Sequence, residues 1–407
     1  MDLATLPPPI LISDERGLNG LLSEAEGATR IAVDTEADSF FNFREKVCLV
    51  QITVGERDFL VDPLARLDLA PLGRLFADPR KTKVFHDGEF DILILKREWG
   101  FEFKNLFDTR IAEAALGVES PGLAAVLRAR FGIELDKSMQ RSDWSARPLS
   151  ERQIAYARLD TRFLVALMES QRPELESRNR MMILEGECAR LERLVPAPQA
   201  FSPDEFVKLK GARALDLHAQ RRLRELYAER YALAERFDLP PFKVVGNDTL
   251  LELARMDARS EADLTRVPGF TYKQVRRVGA ALLEALARAE KLGPLERSPN
   301  LPPKDGEPRL GELEFELHER LKQWRRTRAE QLGIDSSLVV NRLALARIAS
   351  TKPTGAEALA GIEGLLGWQV NLFGTELVEV VRRGLREIPA EASGGQRRRF
   401  RGRRGGE

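Results

Sequence analysis

Ten residues, Ile31 to Phe40, constrain this chain more than any others: IAVDTEADSF sets two carboxylates, Asp34 and Glu36, inside a short apolar run. On a strand, side chains two apart share a face. Carboxylates so close repel each other and lose hydration, and they are tolerated cheaply only with a cation between them. The stretch therefore calls for further acids and a metal.

Two other places supply acids. VFHDGEFDIL offers Asp87, Glu89 and Asp91 where a strand meets a helix, and IAYARLDTRFL puts Tyr156 and Asp160 four residues apart on one helix face. Each alone is unremarkable as chemistry, because an acid at a strand end or on a helix is usually solvated or salt-bridged. As a set they point to phosphoryl transfer. Two divalent ions about 3.5 to 4 Å apart bind both faces of a scissile phosphate, one activating water and the other stabilising the departing oxygen. Mg²⁺ and Mn²⁺ prefer hard oxygen ligands, so carboxylates suit them, and the chain has only three histidines. A phenol, with a free pKa of about 10, suits holding the attacking water by a hydrogen bond rather than acting as a strong base.

The pattern along the chain predicts an α/β unit followed by helices. TRIAVDTEA, KVCLVQITVG and RDFLVDP read as three consecutive strands, and KTKVFHDG as a further strand running into the helix DILILKREWG. Helical spacing marks Leu69 to Pro79, Asp108 to Leu116, Pro121 to Phe131 and Glu151 to about Ser170, with an irregular segment, ELDKSMQRSDWSARPLS, before the last. Strands first, then strand and helix in alternation, imply a mixed sheet flanked by helices. From Arg224 the sequence repeats: at a constant offset of 95, Val244, Leu250, Ala254, Val267 and Gly269 fall on Val339, Leu345, Ala349, Ile362 and Gly364, and Tyr227 meets Trp324 only through a two-residue gap. Two small all-helical units explain this. The expected organisation is residues 1–172 as the α/β domain, 173–205 as a helical connector, 206–290 and 312–388 as the helical units, 291–311 as a proline-rich linker and 389–407 as an Arg/Gly-rich disordered tail.

A net charge of +1 selects no partner, but Gln396 to Glu407 carries six arginines, and such a tail adds salt-sensitive affinity for polyanions. Two cysteines, Cys48 and Cys188, without metal spacing predict a reducing compartment and no structural zinc. With neither a signal-like N-terminus nor a long apolar run, the expectation is a cytoplasmic protein with no membrane contact.

DTE at Asp34 to Glu36, His86 followed five residues later by Asp91, and YARLD at Tyr156 to Asp160 resemble the three motifs of the DEDD exonuclease superfamily in its tyrosine form. Leu135 to Ser150 resembles a connecting segment of ribonuclease D, and the two helical units resemble the HRDC domain. The resemblance implies a ribonuclease H-like fold and an enzyme removing nucleotides from RNA 3′ ends as 5′-mononucleotides, with transfer RNA precursors as the substrate class. The sequence itself does not set the oligomeric state, and a monomer is favoured. It makes Asp34, Glu36, Asp91 and Asp160 the holders of two divalent ions, Mg²⁺ or Mn²⁺, and Tyr156 the residue that orients water. Asp87 and Glu89 match no catalytic position and compete with Asp91 only if the local turn differs. Two rivals are a DNA exonuclease of the same superfamily, since nothing in the motifs selects ribose, and an inactive RNA-binding protein, against which all four acids and the tyrosine argue.

For RNA contact, Lys137, Arg141 and Arg147 precede the Tyr156 helix and are placed to meet phosphates. Phe40, Phe41 and Phe43 are awkward to bury together and suit base stacking; Trp144 either stacks or anchors its segment to the core. In the helical units the basic clusters are Arg221, Arg222 and Arg224, then Lys273, Arg276 and Arg277, then Lys322, Arg325, Arg326 and Arg328. At least one unit is expected to touch RNA.

Overall fold

The computed structural model describes residues 6–119, 121–197, 200–301 and 306–387. The Arg/Gly-rich tail and part of the proline-rich linker lie outside the described residues. No helix among the described residues is long and apolar enough to cross a membrane.

A six-stranded sheet is formed by β1 (Ile10–Ile12), β2 (Arg30–Ala37), β3 (Val47–Val54), β4 (Arg57–Val61), β5 (Thr82–Phe85) and β6 (Leu106–Asp108), in the order β1-β4-β3-β2-β5-β6. It is mixed: β2 runs antiparallel to β3 and parallel to β5. All eight residues of β3 are buried, so the sheet must be covered on both faces. One face packs Val50, Ile52, Phe59 and Val61 into the main apolar core, whereas Leu49 and Leu60 meet Trp144 and Ala157 on the other. Around the sheet lie α1 (Glu15–Glu26), α2 (Ala70–Ala77), α3 (Glu89–Trp99), α4 (Thr109–Leu116), α5 (Leu123–Phe131), α6 (Glu151–Arg162), α7 (Leu164–Ser177) and α8 (Met181–Glu192).

The three central strands and the β5–α3 unit stand where the hydrophobic pattern puts them. The outer strands β1 and β6 are three residues each, too short to show alternation, and α1 was not anticipated either. The single helix expected from Glu151 to Ser170 is two helices, because the chain turns at Phe163 (φ −104°, ψ −1°) as that ring packs with Val126, Leu127 and Leu167. The boundary expected at residue 172 falls inside α7, which carries Pro173 within it.

Each helical unit has the same five helices. The first comprises α9 (Leu217–Phe237), α10 (Pro241–Val244), α11 (Asn247–Arg255), α12 (Glu261–Leu264) and α13 (Tyr272–Leu292); the second comprises α14 (Glu312–Leu332), α15 (Ser336–Val339), α16 (Arg342–Thr351), α17 (Ala356–Ala360) and α18 (Gly367–Glu387). Every helix start keeps the offset of 95, and α9 and α14 also end on it, so no gap separates the copies. Tyr227 thus corresponds to Lys322, not to Trp324; a match between two aromatic residues misled the alignment because helix faces tolerate such coincidences.

The copies are used differently. The first has its own core, built on Leu223, Leu226, Leu250 and Leu282. The second shares one continuous core with the α/β domain, and α8 is the shared element rather than a free connector. At Gly186 of α8, a β-carbon would stand 1.9 Å from the Trp368 ring of α18. Only glycine allows the two helices to approach that closely.

Candidate active site

Asp34 and Glu36 lie near the C-terminal end of β2, the end of the sheet from which α3 departs after the parallel strand β5. In open α/β sheets this end is where ligands collect. Opposite them, α6 presents Tyr156 and Asp160. That helix is fixed at its start by a reciprocal cap: Gln153 N–H donates to Ser150 Oγ at 3.3 Å, and Ser150 N–H donates to Gln153 Oε1 at 3.0 Å. Lower down it is pinned to the sheet by the Arg158–Asp58 ion pair at 2.7 Å and the Thr53–Thr161 hydrogen bond at 2.7 Å.

One carboxylate oxygen each of Asp34, Glu36 and Asp160 lies within 4.8 Å of the others. Asp91, on the first turn of α3, faces the same cleft and is held from β2: the Thr35 N–H donates to Asp91 Oδ1 at 3.1 Å, and the Thr35 hydroxyl donates to the same oxygen. The cleft is about 350 Å³ and is also lined by His86, Phe90, Arg110, Lys137, Gln140 and Leu123.

The turn before α3 gives its three acids different partners. Asp87 takes a left-handed conformation (φ 63°), and a β-carbon at Gly88 would meet the Phe85 side chain at 2.6 Å. Asp108, buried at the start of α4, accepts from four backbone N–H groups: Asp87 (3.2 Å), Gly88 (2.8 Å), Arg110 (2.9 Å) and Ile111 (3.1 Å). One carboxylate thus ties the α3 entry to the α4 cap. Asp87 lies on the cleft wall with its carboxylate facing Arg110 at 3.5 Å, and Glu89 pairs with Arg190 at 2.9 Å. Neither joins the acid cluster. His86 is packed beside it, with Nδ1 2.9 Å from Thr109 Oγ1, and burial lowers its pKa to about 4.

Electrostatically the cluster is unbalanced. Burial, reinforced by Asp160 and Asp91, pushes the Glu36 carboxyl up to about 9. Asp34 rises well above its ordinary value through burial, then through Asp91, Asp160 and Glu36. Burial also raises Asp91, against the hydrogen bonds from Thr35, and raises Asp160, against the hydrogen bond from Tyr156. The Tyr156 phenol is itself driven upward by burial and by Asp160, Glu36 and Asp34, so it stays a proton donor. Asp160 Oδ2 is buried without a partner. Gathered buried oxygens that raise one another's pKa, together with an unsatisfied lone pair, fit divalent metal: hard donors, excess negative charge and an open acceptor.

Sequence reasoning missed three residues here. Thr35 was passed over as the middle of DTE. Phe90, 46% exposed beside Asp91, breaks the apolar period of α3. Gln51, the ladder partner of Asp34 on β3, is fully buried with both amide atoms unpartnered, and its signal was a lone amide in VCLVQITV.

Among the expected RNA contacts, Lys137 is exposed on the cleft wall, and Arg141 stands 5.9 Å over the exposed Phe40 ring. Phe43 instead packs into the first helical unit, 4.9 Å from Tyr231, and Phe41 lies under Lys243 at 4.1 Å. Trp144 takes the anchoring alternative, and Arg147 has another task. The Trp144 ring is buried 5.9 Å from Tyr156, which it braces. Arg147 forks onto Asp62 at 2.6 and 2.7 Å and donates to the Cys48 and Trp144 carbonyls, so its guanidinium is held for the fold rather than for phosphate.

Comparison with known proteins decides the family. A 3′-5′ exonuclease family model matches residues 9–176, and the HRDC domain model matches residues 219–286 and 314–381. The ribonuclease D of Acidiphilium cryptum is 30% identical over 384 residues, spanning 92% of this chain and 94% of the relative. The chain belongs to the ribonuclease D family. A ribonuclease D of Sphingobium indicum is 31% identical over 91% of this chain and 94% of its own length. Among solved structures, Escherichia coli RNase D superposes with a TM-score of 0.66 at 25% identity, covering 93% of this chain and 99% of that one. The catalytic core of RRP6 from Trypanosoma brucei gives 0.66 at 26%, covering 72% and 82%. As a ribonuclease D, the chain is a hydrolytic 3′-5′ exoribonuclease acting on RNA and dependent on divalent metal.

Proposed function

We propose that this ribonuclease removes nucleotides one at a time from the free 3′ end of RNA, acting as a monomer on transfer RNA precursors, with two divalent ions, Mg²⁺ or Mn²⁺, held by Asp34, Glu36, Asp91 and Asp160. The observation that carries this reading is the convergence of three elements on one cleft: the β2 acids, the Thr35-anchored Asp91 and the Tyr156–Asp160 face. When bound, the ions supply Lewis acidity at the scissile phosphate and a water of lowered pKa. The chain does the rest. Thr35 fixes one oxygen of Asp91 and leaves the other for the cleft. Tyr156, kept protonated by its acidic surroundings and braced by Trp144, holds the attacking water by hydrogen bond. Lys137 meets the phosphates from the cleft wall and adds affinity without reading sequence.

Digestion of a labelled RNA, its 3′-blocked form and the matching DNA, each with and without Mg²⁺ or Mn²⁺, tests the reading. Stepwise loss of mononucleotides from the unblocked RNA alone, in metal, is expected; cleavage of the blocked RNA refutes the 3′ direction. Asp91→Asn should lower turnover by about a thousandfold or more while RNA still binds, since several kcal/mol of charge stabilisation are lost. Near wild-type turnover of that variant in Mg²⁺ would remove Asp91 from the site. Tyr156→Phe deletes one hydrogen bond and should slow single-turnover cleavage about 10- to 100-fold with little change in binding.

A further inference from the structure

The two helical units differ in one face. In the second unit, the start of α18 and the short α15 turn toward the α/β domain: Trp368 lies on Gly186, and Ser337 and Leu338 line a groove with Arg110 and Gly117. At the constant offset, the same positions in the first unit are Lys273, Phe242 and Lys243, and here they are exposed. Phe242 is 53% exposed and Tyr272, where the second copy has Gly367, is 71% exposed. Arg276 and Arg277 are exposed on the same helix start, and Arg277 lies 4.1 Å over the Phe237 ring. None of Lys243, Lys273, Arg276 and Arg277 makes an ion pair among the described residues, whereas Arg222, Arg224, Arg259, Arg266 and Arg288 of the same unit do. An isolated exposed aromatic ring is ordinary. Two large rings beside four cations without an ion pair, on a face whose other copy carries Leu338 and the docked Trp368 instead, are not.

We propose that this face of the first unit, α10 with the start of α13, is a stacking surface for single-stranded RNA leading away from the cleft. The argument rests on the reading above that the RNA 3′ end enters that cleft. Charge favours RNA, because Lys243, Lys273, Arg276 and Arg277 stand on the same two helices as Phe242 and Tyr272, the pairing of cations and aromatic rings that binds single strands without reading sequence. Continuity supplies the path. Lys243 stands over Phe41, which follows the DTE strand by four residues, and Phe40 beside it carries Arg141. Nucleotides upstream of the terminal one therefore pass from Phe40 and Arg141 to Phe41 and Lys243, and then to Phe242 and Tyr272.

The full-length Phe242→Ala/Tyr272→Ala variant tests this against a long unstructured oligouridylate and a trinucleotide. Both side chains are exposed, so the thermal midpoint should stay at the wild-type value. Affinity for the long oligomer in EDTA, read by fluorescence anisotropy, should fall about tenfold for each ring lost, while trinucleotide hydrolysis in Mg²⁺ stays unchanged. Lys243→Ala/Lys273→Ala should lower the slope of log affinity against log salt by about 0.7 for each cation removed, and Arg259→Ala/Arg266→Ala should leave it alone. Unchanged affinity in the aromatic variant overturns the proposal and leaves the face to a protein partner. Equal losses on both substrates overturn it too, by placing the effect at the cleft. Failure of the wild-type enzyme to cleave the trinucleotide at all would instead strike the cleft reading.

Discussion

The charge state of the acid cluster is the property most exposed to measurement. Glu36 titrates near 4.3 in an unfolded chain and is raised to about 9 in the metal-free fold, so folding takes up a proton between those values. A raised carboxyl contributes stability that is complete below the unfolded pKa and is lost as pH climbs toward the folded one. The raised Asp34, Asp91 and Asp160 act in the same direction. His86 opposes them only in acid: with its folded pKa lowered to about 4, stability is lost as pH falls from about 6.5 toward 4. Two results follow for differential scanning fluorimetry. Metal-free protein should lose thermal stability from pH 6 to pH 8.5, and Mn²⁺ should restore several degrees, more at the higher pH. Glu36→Gln should raise the metal-free midpoint at pH 8.5 and shrink the Mn²⁺ increment; an increment independent of pH would separate metal binding from these acids.

At the scale of elements, the catalytic strand and its partners were legible because each carries chemistry against a strong apolar pattern. Asp34 and Glu36 interrupt IAVDTEA, and Tyr156 and Asp160 share a face that four-residue spacing reveals. The choice among Asp87, Glu89 and Asp91 was not legible from spacing alone. It is made by a turn whose decisive bonds come from Asp108, twenty-one residues after Asp87 in sequence. Arg147, and the choice for Trp144 between stacking and anchoring, were not legible for a similar reason: their partners Tyr156, Asp62 and Cys48 come from three distant parts of the chain. Asp108→Asn turns one acceptor oxygen into an amide donor facing backbone N–H groups, at a cost of about 1–3 kcal/mol. The α3 entry should loosen with it, so Mn²⁺ should bind severalfold more weakly by calorimetric titration, and turnover should fall while RNA affinity is kept. Wild-type metal affinity in a destabilised variant would leave Asp108 as a cap and nothing more.

Across the whole molecule, duplication has produced one unit that completes the catalytic domain and one held to it by a loop. The second shares the core of the α/β domain through α8, with Arg180 donating to the Ala115 and Leu332 carbonyls across the junction. The first is joined at the segment after β2, where Phe43 N–H donates to Asp238 at 3.1 Å and Arg44 pairs with Glu235 at 3.0 Å. This asymmetry predicts different responses to mutation. Gly186→Val drives a branched side chain into Trp368, and overpacking of this kind costs about 1–3 kcal/mol. The second unit should then undock, appearing as faster proteolysis within residues 306–311 and as a second unfolding transition. Trp368→Ala removes the same contact from the other side by leaving a cavity, at about 3–5 kcal/mol if the gap does not close. In Gly186→Val/Trp368→Ala the new side chain can occupy the space the ring leaves, so the double variant should be more stable than the sum of the single losses predicts. Strict additivity would mean that the two residues do not meet, and the shared core would then have to be carried by Leu184, Leu191 and Phe373 without that contact.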